Sequence, residues 1–296
     1  MHPVIENLIA AGPVVTDGAW GTQLQARGLA IGEFPDAWNL THPDRVSEVA
    51  CAYVHAGSRV ILTNTFGANR IRLMENSLAE RVVEINQRGV EISRAAAGGR
   101  AAVFASIGPS GKLILSGEVT AKELQSAFAE QARALAQGGA DALVVETMSD
   151  LQEAQLAVAA ACTTGLPVVA CMVFDSGKNR DRTMMGITPE HAARALSSAG
   201  ADVIGANCGQ GILGFEPICQ RLRAATSRPI WIKPNAGLPQ LVEGRTVYEG
   251  TPEAFANQVP ALLAAGASFI GGCCGTSPDF IAAISRRLKA ELHTGP

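Results

Sequence analysis

Eight short apolar runs, separated by longer helical patterns, constrain this chain more than any other feature. They are Val14–Asp17, Val60–Thr65, Ala102–Ile107, Ala142–Thr147, Val168–Phe174, Val203–Cys208, Ile230–Pro234 and Ser268–Cys274. Most are continuously apolar rather than alternating, the signature of parallel strands covered on both faces. Four helices end in glycine and lead straight into a strand, at Gly57, Gly139, Gly200 and Gly266, marking a repeated helix-to-strand unit. Their starts read from Thr41-His42-Pro43-Asp44, Thr120-Ala121-Lys122-Glu123 and Ser149-Asp150-Leu151-Gln152, and from threonine or serine followed by proline at 188, 251 and 277. Eight such units without a second composition block predict one α/β domain over residues 1–296, a single (β/α)8 TIM barrel. The 296 residues suffice for it.

Composition narrows the function. A net charge of −3 and a pI near 6.0 give no footprint for nucleic acid or an anionic membrane. The uncharged stretch 156–174 approaches spanning length, but Thr163-Thr164-Gly165-Leu166-Pro167 breaks it into a helix end, a turn and a strand. The amino end lacks the basic segment and apolar core of a signal peptide. Seven cysteines in no disulfide-framework pattern point to a reducing cytoplasm and to thiols used as thiols or metal ligands.

Chemistry in such barrels collects at the carboxyl ends of the strands. Here those ends carry Asp17-Gly18-Ala19-Trp20, Asn64, Ser106, Glu146-Thr147, Asn207-Cys208-Gly209, Lys233-Pro234-Asn235 and Gly271-Gly272-Cys273-Cys274-Gly275. Cys51, Cys162, Cys171 and Cys219 sit among alanine, valine and leucine and read as packing. Cys208, Cys273 and Cys274 end strands instead. Neighbouring side chains on a strand point to opposite faces, so the glycines around the pair are expected to bend the backbone until both sulfurs meet. Three thiolates would make a zinc site with its fourth position open to substrate or water. Gly209-Gln210-Gly211-Ile212-Leu213-Gly214 matches a dinucleotide fingerprint, but Lys233 and Pro234 stand where that fold wants an acid. No histidine ends a strand, so histidine base catalysis is not expected.

These motifs resemble the homocysteine-binding methyltransferases, a family that includes the homocysteine module of cobalamin-dependent methionine synthase. The resemblance runs from Asp17-Gly18-Ala19 to Gly-Gly-Cys-Cys-Gly. Thr63–Asn69 and Lys233–Pro239 look most similar to the methionine synthase branch. It implies a homocysteine S-methyltransferase of methionine biosynthesis, with one zinc on Cys208, Cys273 and Cys274 as the catalytic centre and homocysteine sulfur as fourth ligand. It further implies that Glu146 holds the substrate ammonium and that Asp17, Gly18 and Ala19 shape the amino-acid pocket, with Asn207 a further substrate-binding candidate. Trp20 departs from the smaller residue expected in its turn. The chain ends after the barrel, so methylcobalamin on a separate corrinoid protein is the expected donor. Betaine or a methylsulfonium compound, caged by Trp20 and Trp38 of the first loop, is the runner-up. A non-catalytic, zinc-containing barrel subunit is the reading of another class.

Overall fold

Ten strands form in the computed structural model, which describes residues 1–242 and 245–294. They are β1 (Val14–Val15), β2 (Val60–Ile61), β3 (Ala102–Ile107), β4 (Ala142–Met148), β5 (Val168–Met172), β6 (Val203–Gly211), β7 (Ile230–Asn235), β8 (Gln240–Val242), β9 (Arg245–Val247) and β10 (Ala267–Ile270). Eight of them lie in one parallel sheet in the order β1-β10-β7-β6-β5-β4-β3-β2, with helices between them. Each expected apolar run contains one of these strands. The fold is a (β/α)8 barrel.

Neither β1 nor β2 pairs with the other in a regular ladder, and this seam is closed by single bonds. The Arg59 amide donates to the Val15 carbonyl at 2.8 Å, and the Ser58 hydroxyl to that of Thr16 at 3.3 Å. At the upper end the Leu62 amide donates to Asp17 Oδ2 at 2.7 Å. A carboxylate thus stands in for a missing strand partner.

Alternation along the strands separates two apolar layers. Val14, Val60, Phe104, Val144, Val169, Val203, Trp231 and Phe269 fill the barrel, with Ile5 of the first helix, Pro3–Ile9, in the same cluster. Val15, Ile61, Ala105, Val145, Ala170, Ile204, Ile232 and Ile270 face the helices. Trp231 is the largest interior side chain, with Phe104 and Phe269 rings at 6.1 and 5.2 Å. Gly205 makes room for it, because a Cβ there would run into Trp231 and Cys171.

Glycines 57, 139, 200 and 266 all adopt left-handed φ, between 91° and 109°, as their positions before strands predict. Thr120 forms a full capping box with Glu123. Two starts differ from expectation. The helix Pro43–His55 has no side-chain cap, since His42 rather than Thr41 occupies the position before it. Asp150, not Ser149, caps Leu151–Cys162, because only its carboxylate reaches the Gln152 and Glu153 amides. The uncharged 156–174 stretch divides as read, turning at Gly165 with φ +77°. No helix among the described residues is long and apolar enough to cross a membrane. Cys171 and Cys219 are buried and Cys51 packs against the core, but Cys162 is exposed at the end of its helix, where it faces the Ala199–Gly200 turn before β6.

The β8–β9 hairpin was not expected from the sequence. It is antiparallel, stands apart from the barrel sheet and follows β7. Leu241 and Val247 on it are exposed and belong to no core, so neither leaves a burial signal.

At the carboxyl ends the apolar filling gives way to polar side chains. Lys233 Nζ lies 2.5 Å from Asp17 Oδ1, and both side chains are almost wholly buried. Removing one partner of such a pair strands a charge, which typically costs ~3–5 kcal/mol. Asp17→Ala should therefore lose about that much in denaturant unfolding, and Lys233→Met in the Asp17→Ala background should recover part of it. Additive losses would show that the pair is not coupled.

Candidate metal centre and substrate cavity

β6 does not end regularly. Asn207 faces Lys233 of β7, yet Gly211 faces Asn235, so β6 bulges between them. Within that bulge Cys208 has φ +62° and Gly209 φ +77°. A left-handed cysteine is strained, and the bulge re-aims its sulfur toward the neighbouring strand end.

The chain beyond β10 keeps pairing with its neighbours as far as Cys273. Gly271 and Cys273 donate to the Ile232 and Pro234 carbonyls, while Gly272 donates to that of Asp17. Neither Gly271 nor Gly272 has left-handed φ, so they do not supply the expected bend. They are glycines because of close approach: a Cβ would strike Thr16 at the first and Thr276 at the second. The bend lies at the second cysteine: Cys274 and Gly275, the latter with φ +80°, are the centre of a turn closed by the Thr276 amide donating to the Cys273 carbonyl at 3.1 Å.

The three sulfurs nevertheless converge. Cys208 Sγ lies 3.8 Å from Cys274 Sγ, which lies 4.0 Å from Cys273 Sγ, and all three fall within 4.8 Å of one another. Tetrahedral zinc–sulfur bonds of 2.3 Å place sulfurs about 3.8 Å apart. Hydrogen bonds from Cys273 and Cys274 hold the Cys208 thiol down to about 3. The same sharing, reinforced by burial, pushes Cys274 up to about 11 and Cys273 well above the usual thiol range. Sulfurs close enough to stabilise one another's thiolate are also close enough to share one cation. Asn235 adds a further donor, a buried Oδ1 with no partner. Three soft sulfurs beside an orphaned oxygen fit zinc.

A cavity of about 450 Å³ opens over this cluster. Gly18, Ala19, Glu146, Cys208, Cys273 and Cys274 all line it, as the motifs lead one to expect. Asp17 and Asn207 stand behind the wall and act through others. Asp17 takes Lys233, the Leu62 amide and the Trp20 indole N–H at 2.7 Å. Asn207 donates to Thr147 at 2.7 Å and Glu146 at 3.3 Å, and its oxygen accepts from the Thr147 amide at 2.8 Å. Glu146 also accepts from the Ser106 hydroxyl at 2.5 Å. Burial raises its pKa, against the pull of the Lys233 ammonium. The Gly18-Ala19 turn is pinned by Thr276, whose hydroxyl takes the Ala19 amide, and by Tyr53, whose hydroxyl donates to the Ala19 carbonyl at 2.6 Å.

Trp20 lines the cavity, held by Asp17. Trp38 does not. It is buried, and its indole is tied to Glu33 at 2.6 Å, so it can form no cage with Trp20. Sequence reasoning missed Lys233, Tyr248 and Asp36 on the cavity wall. Lys233 had a signal, a lone charge closing the apolar run Ile230-Trp231-Ile232. Tyr248 and Asp36 sit in loops whose folding no periodicity announces.

Comparison with known proteins follows this geometry. The sequence pattern of the homocysteine S-methyltransferase family matches residues 14–288. This chain belongs to that family. It is 31% identical to the methionine synthase of Mycobacterium leprae (strain TN), over 97% of this chain and 26% of that protein. The methionine synthase of Mycobacterium tuberculosis (strain ATCC 25618 / H37Rv) is 32% identical, over 93% of this chain and 24% of that protein. The chain thus spans about a quarter of the length of these relatives. Its fold is shared with the homocysteine methyltransferase MmuM from Escherichia coli. The metallated form superposes with a TM-score of 0.78 at 24% identity, covering 93% of this chain and 96% of that one. The oxidized form gives 0.79 at 23%, covering 96% and 99%.

Asp36 provides a pH test of the outer wall. Its buried carboxyl accepts from the Gly67 amide at 2.9 Å, but desolvation dominates and lifts its pKa to about 7. The folded state then holds a proton that the unfolded chain releases near 4, so stability falls as pH rises from about 4 to 7. Asp36→Asn should remove this fall, gaining about 2–4 kcal/mol over wild type at pH 8 and little at pH 4. Parallel stability–pH curves would remove Asp36 from that role.

Proposed function

We propose that residues 1–296 form one homocysteine S-methyltransferase barrel acting through zinc on Cys208, Cys273 and Cys274. The observation that carries this reading is three cysteine sulfurs at tetrahedral spacing on the wall of a cavity that also presents Glu146. Zinc, when bound, takes up a thiol as thiolate and keeps it nucleophilic at neutral pH, where a free alkyl thiol is mostly protonated. The three cysteines would hold the metal, and Asn235, whose buried Oδ1 has no hydrogen-bond partner, could offer a fourth, exchangeable donor.

Glu146 recognises the ammonium of homocysteine. Lys233 is paired with Asp17, which leaves Glu146 as the buried carboxyl that a substrate ammonium would meet, offsetting the burial that raises its pKa. Ser106 and Asn207 fix the carboxylate in place, and Gly18 and Ala19 leave room for the amino-acid end. With both ends held, the sulfur meets the methyl carbon in line. An S–CH3 bond forms as the donor–methyl bond breaks, and the leaving electron pair stays with the donor. No side-chain base is needed at that step. A purely structural zinc would be expected to have four protein ligands, so three cysteines beside a cavity favour catalysis over a scaffold role.

For the donor, similarity to methionine synthases favours methylcobalamin carried by a separate corrinoid protein or domain. A small cationic donor is the second reading. The outer part of the cavity joins Asp36 to Phe34, Phe66 and Trp20, an acid and three aromatic faces that suit a sulfonium or quaternary ammonium. Free thiols at all seven cysteines suit a reducing cytoplasm.

X-ray absorption at the zinc edge should find three sulfurs and one lighter neighbour in the substrate-free protein, and four sulfurs with homocysteine. Single Cys208→Ala and Cys273→Ala variants should lose zinc while melting cooperatively, because a large apolar core persists. Full zinc occupancy in either variant would sink the site.

Glu146→Gln keeps the shape and removes the charge. It should weaken homocysteine binding about tenfold or more while sparing zinc. Unchanged affinity in calorimetry would take Glu146 out of ammonium recognition. Methionine formation measured with methylcobalamin, betaine and a methylsulfonium compound separately decides the donor. Turnover with a small cation, and none with methylcobalamin, would reverse the preference.

A further inference from the structure

A second cavity opens at the other end of the barrel, where the strands begin. It measures about 500 Å³ and lies between the first helix, Pro3–Ile9, and the starts of β2, β3 and β4. That size falls within the range of small-molecule sites. The methyl transfer proposed above makes no use of it, since the three cysteines stand at the carboxyl ends of the strands.

Charge sets this cavity apart. Arg59, Arg94 and Arg100 all line it, and Asp141 is the one acid beside them among the described residues. That acid is already engaged. One of its oxygens accepts from the Val103 amide at 2.8 Å and the other from Arg94 at 3.3 Å. Arg94 also donates to the Gly139 carbonyl at 2.7 Å, while Arg100 reaches only the Ala96 carbonyl, at 3.4 Å. Arg59 is half-buried, and its guanidinium has no hydrogen bond or ion pair with any described residue. Its backbone is nevertheless fixed, the amide donating to Val15 at 2.8 Å and the carbonyl accepting from Ala102 at 2.9 Å.

Three guanidiniums around one concavity repel one another, and a half-buried one without an acceptor forgoes bonds that it would make in water. A ligand with two or more anionic oxygens answers both costs. The planar guanidinium fork matches phosphate oxygens two at a time. Val4, Leu8 and Ala101 make the rest of the wall apolar, and Gly99 leaves the space beside Arg100 open.

We propose that this cavity binds a phosphate group, with Arg59 as its main contact, Arg94 and Arg100 at its flanks, and room for a small apolar body against the first helix. A bound ligand would tie Pro3–Ile9 to the strand starts. Ile5 of that helix belongs to the interior cluster, so the ligand would reinforce the closed end of the barrel.

The test is calorimetric titration of the full chain with phenyl phosphate and, separately, with inorganic phosphate at constant ionic strength. Saturable binding is expected. Arg59→Gln and Arg100→Gln should each weaken it about tenfold, the size of one charge-assisted hydrogen bond. Arg45→Gln, on the helix Pro43–His55 and outside the cavity, should leave it unchanged. Tighter binding of phenyl phosphate would identify an ester as the ligand, and equal affinities the free anion. Hydrogen exchange with phenyl phosphate present should slow at residues 4–9 and 97–103, a readout that stands even if a variant does not fold. No saturable binding of either probe, wild-type affinity in both arginine variants, or slowing confined to other segments would overturn the proposal. Zinc content and homocysteine affinity should be those of wild type in Arg59→Gln, so this proposal and the methyltransferase reading fail separately.

Discussion

A buried ammonium organises the top of this barrel. Lys233 reaches from β7 to Asp17 beyond β1, across the level where β10 continues as Gly271 and Gly272. Side chains on those two glycines would collide with Thr16 and Thr276, so the bare backbone keeps the two strand ends together. Desolvating both charges is costly, and the pair survives because Asp17 is fully engaged. Besides Lys233 it takes an amide from beyond β2 and the Trp20 indole. The same carboxylate therefore closes the seam and orients the cavity wall. Lys233 in turn faces Glu146, so the structural pair and the proposed recognition acid share one electrostatic unit.

The metal candidate is built from irregular backbone on a regular frame. Cys208 and Thr147 both hold left-handed φ without being glycine, and both are tied to Asn207, one by chain and one by hydrogen bond. Such strain persists only where surrounding structure over-determines it. Here the surroundings are the bulge in β6, the Cys273 and Ala236 bonds between strand ends, and the Thr276 turn. Little of the cluster depends on a mobile loop, which suits a site that must hold three sulfurs at fixed spacing.

The barrel was legible because its strands are apolar on both faces and its helices stop at glycines that need left-handed φ. The cysteine trio was legible because ligand type and strand-end position coincide. Four kinds of residue were not. Asp17 and Asn207 fall at the right rim but face backward, and one-dimensional position cannot tell a wall from its support. Of the glycines read as bending the chain around the cysteine pair, Gly275 does so, whereas Gly271 and Gly272 make contact with other strand ends, a long-range fact absent from local pattern. Trp38 was drawn to the cavity by its loop, but an indole that finds Glu33 and a core goes there instead. Tyr248 follows a hairpin with no core, so nothing in its neighbourhood marks its place.

The open ladder between β1 and β2 has a consequence for how the molecule is made. The first and last strands of the barrel meet only after all of it has been made, and the Ala19–Thr276 contact spans 257 positions. A nascent chain leaving the ribosome up to β9 carries one of the three cysteines and no closed barrel. It offers a passing ion no better grip than any lone thiol. On the zinc reading proposed above, the three sulfurs would come together only at ring closure, so metal loading would depend on the order of synthesis as much as on the ligands.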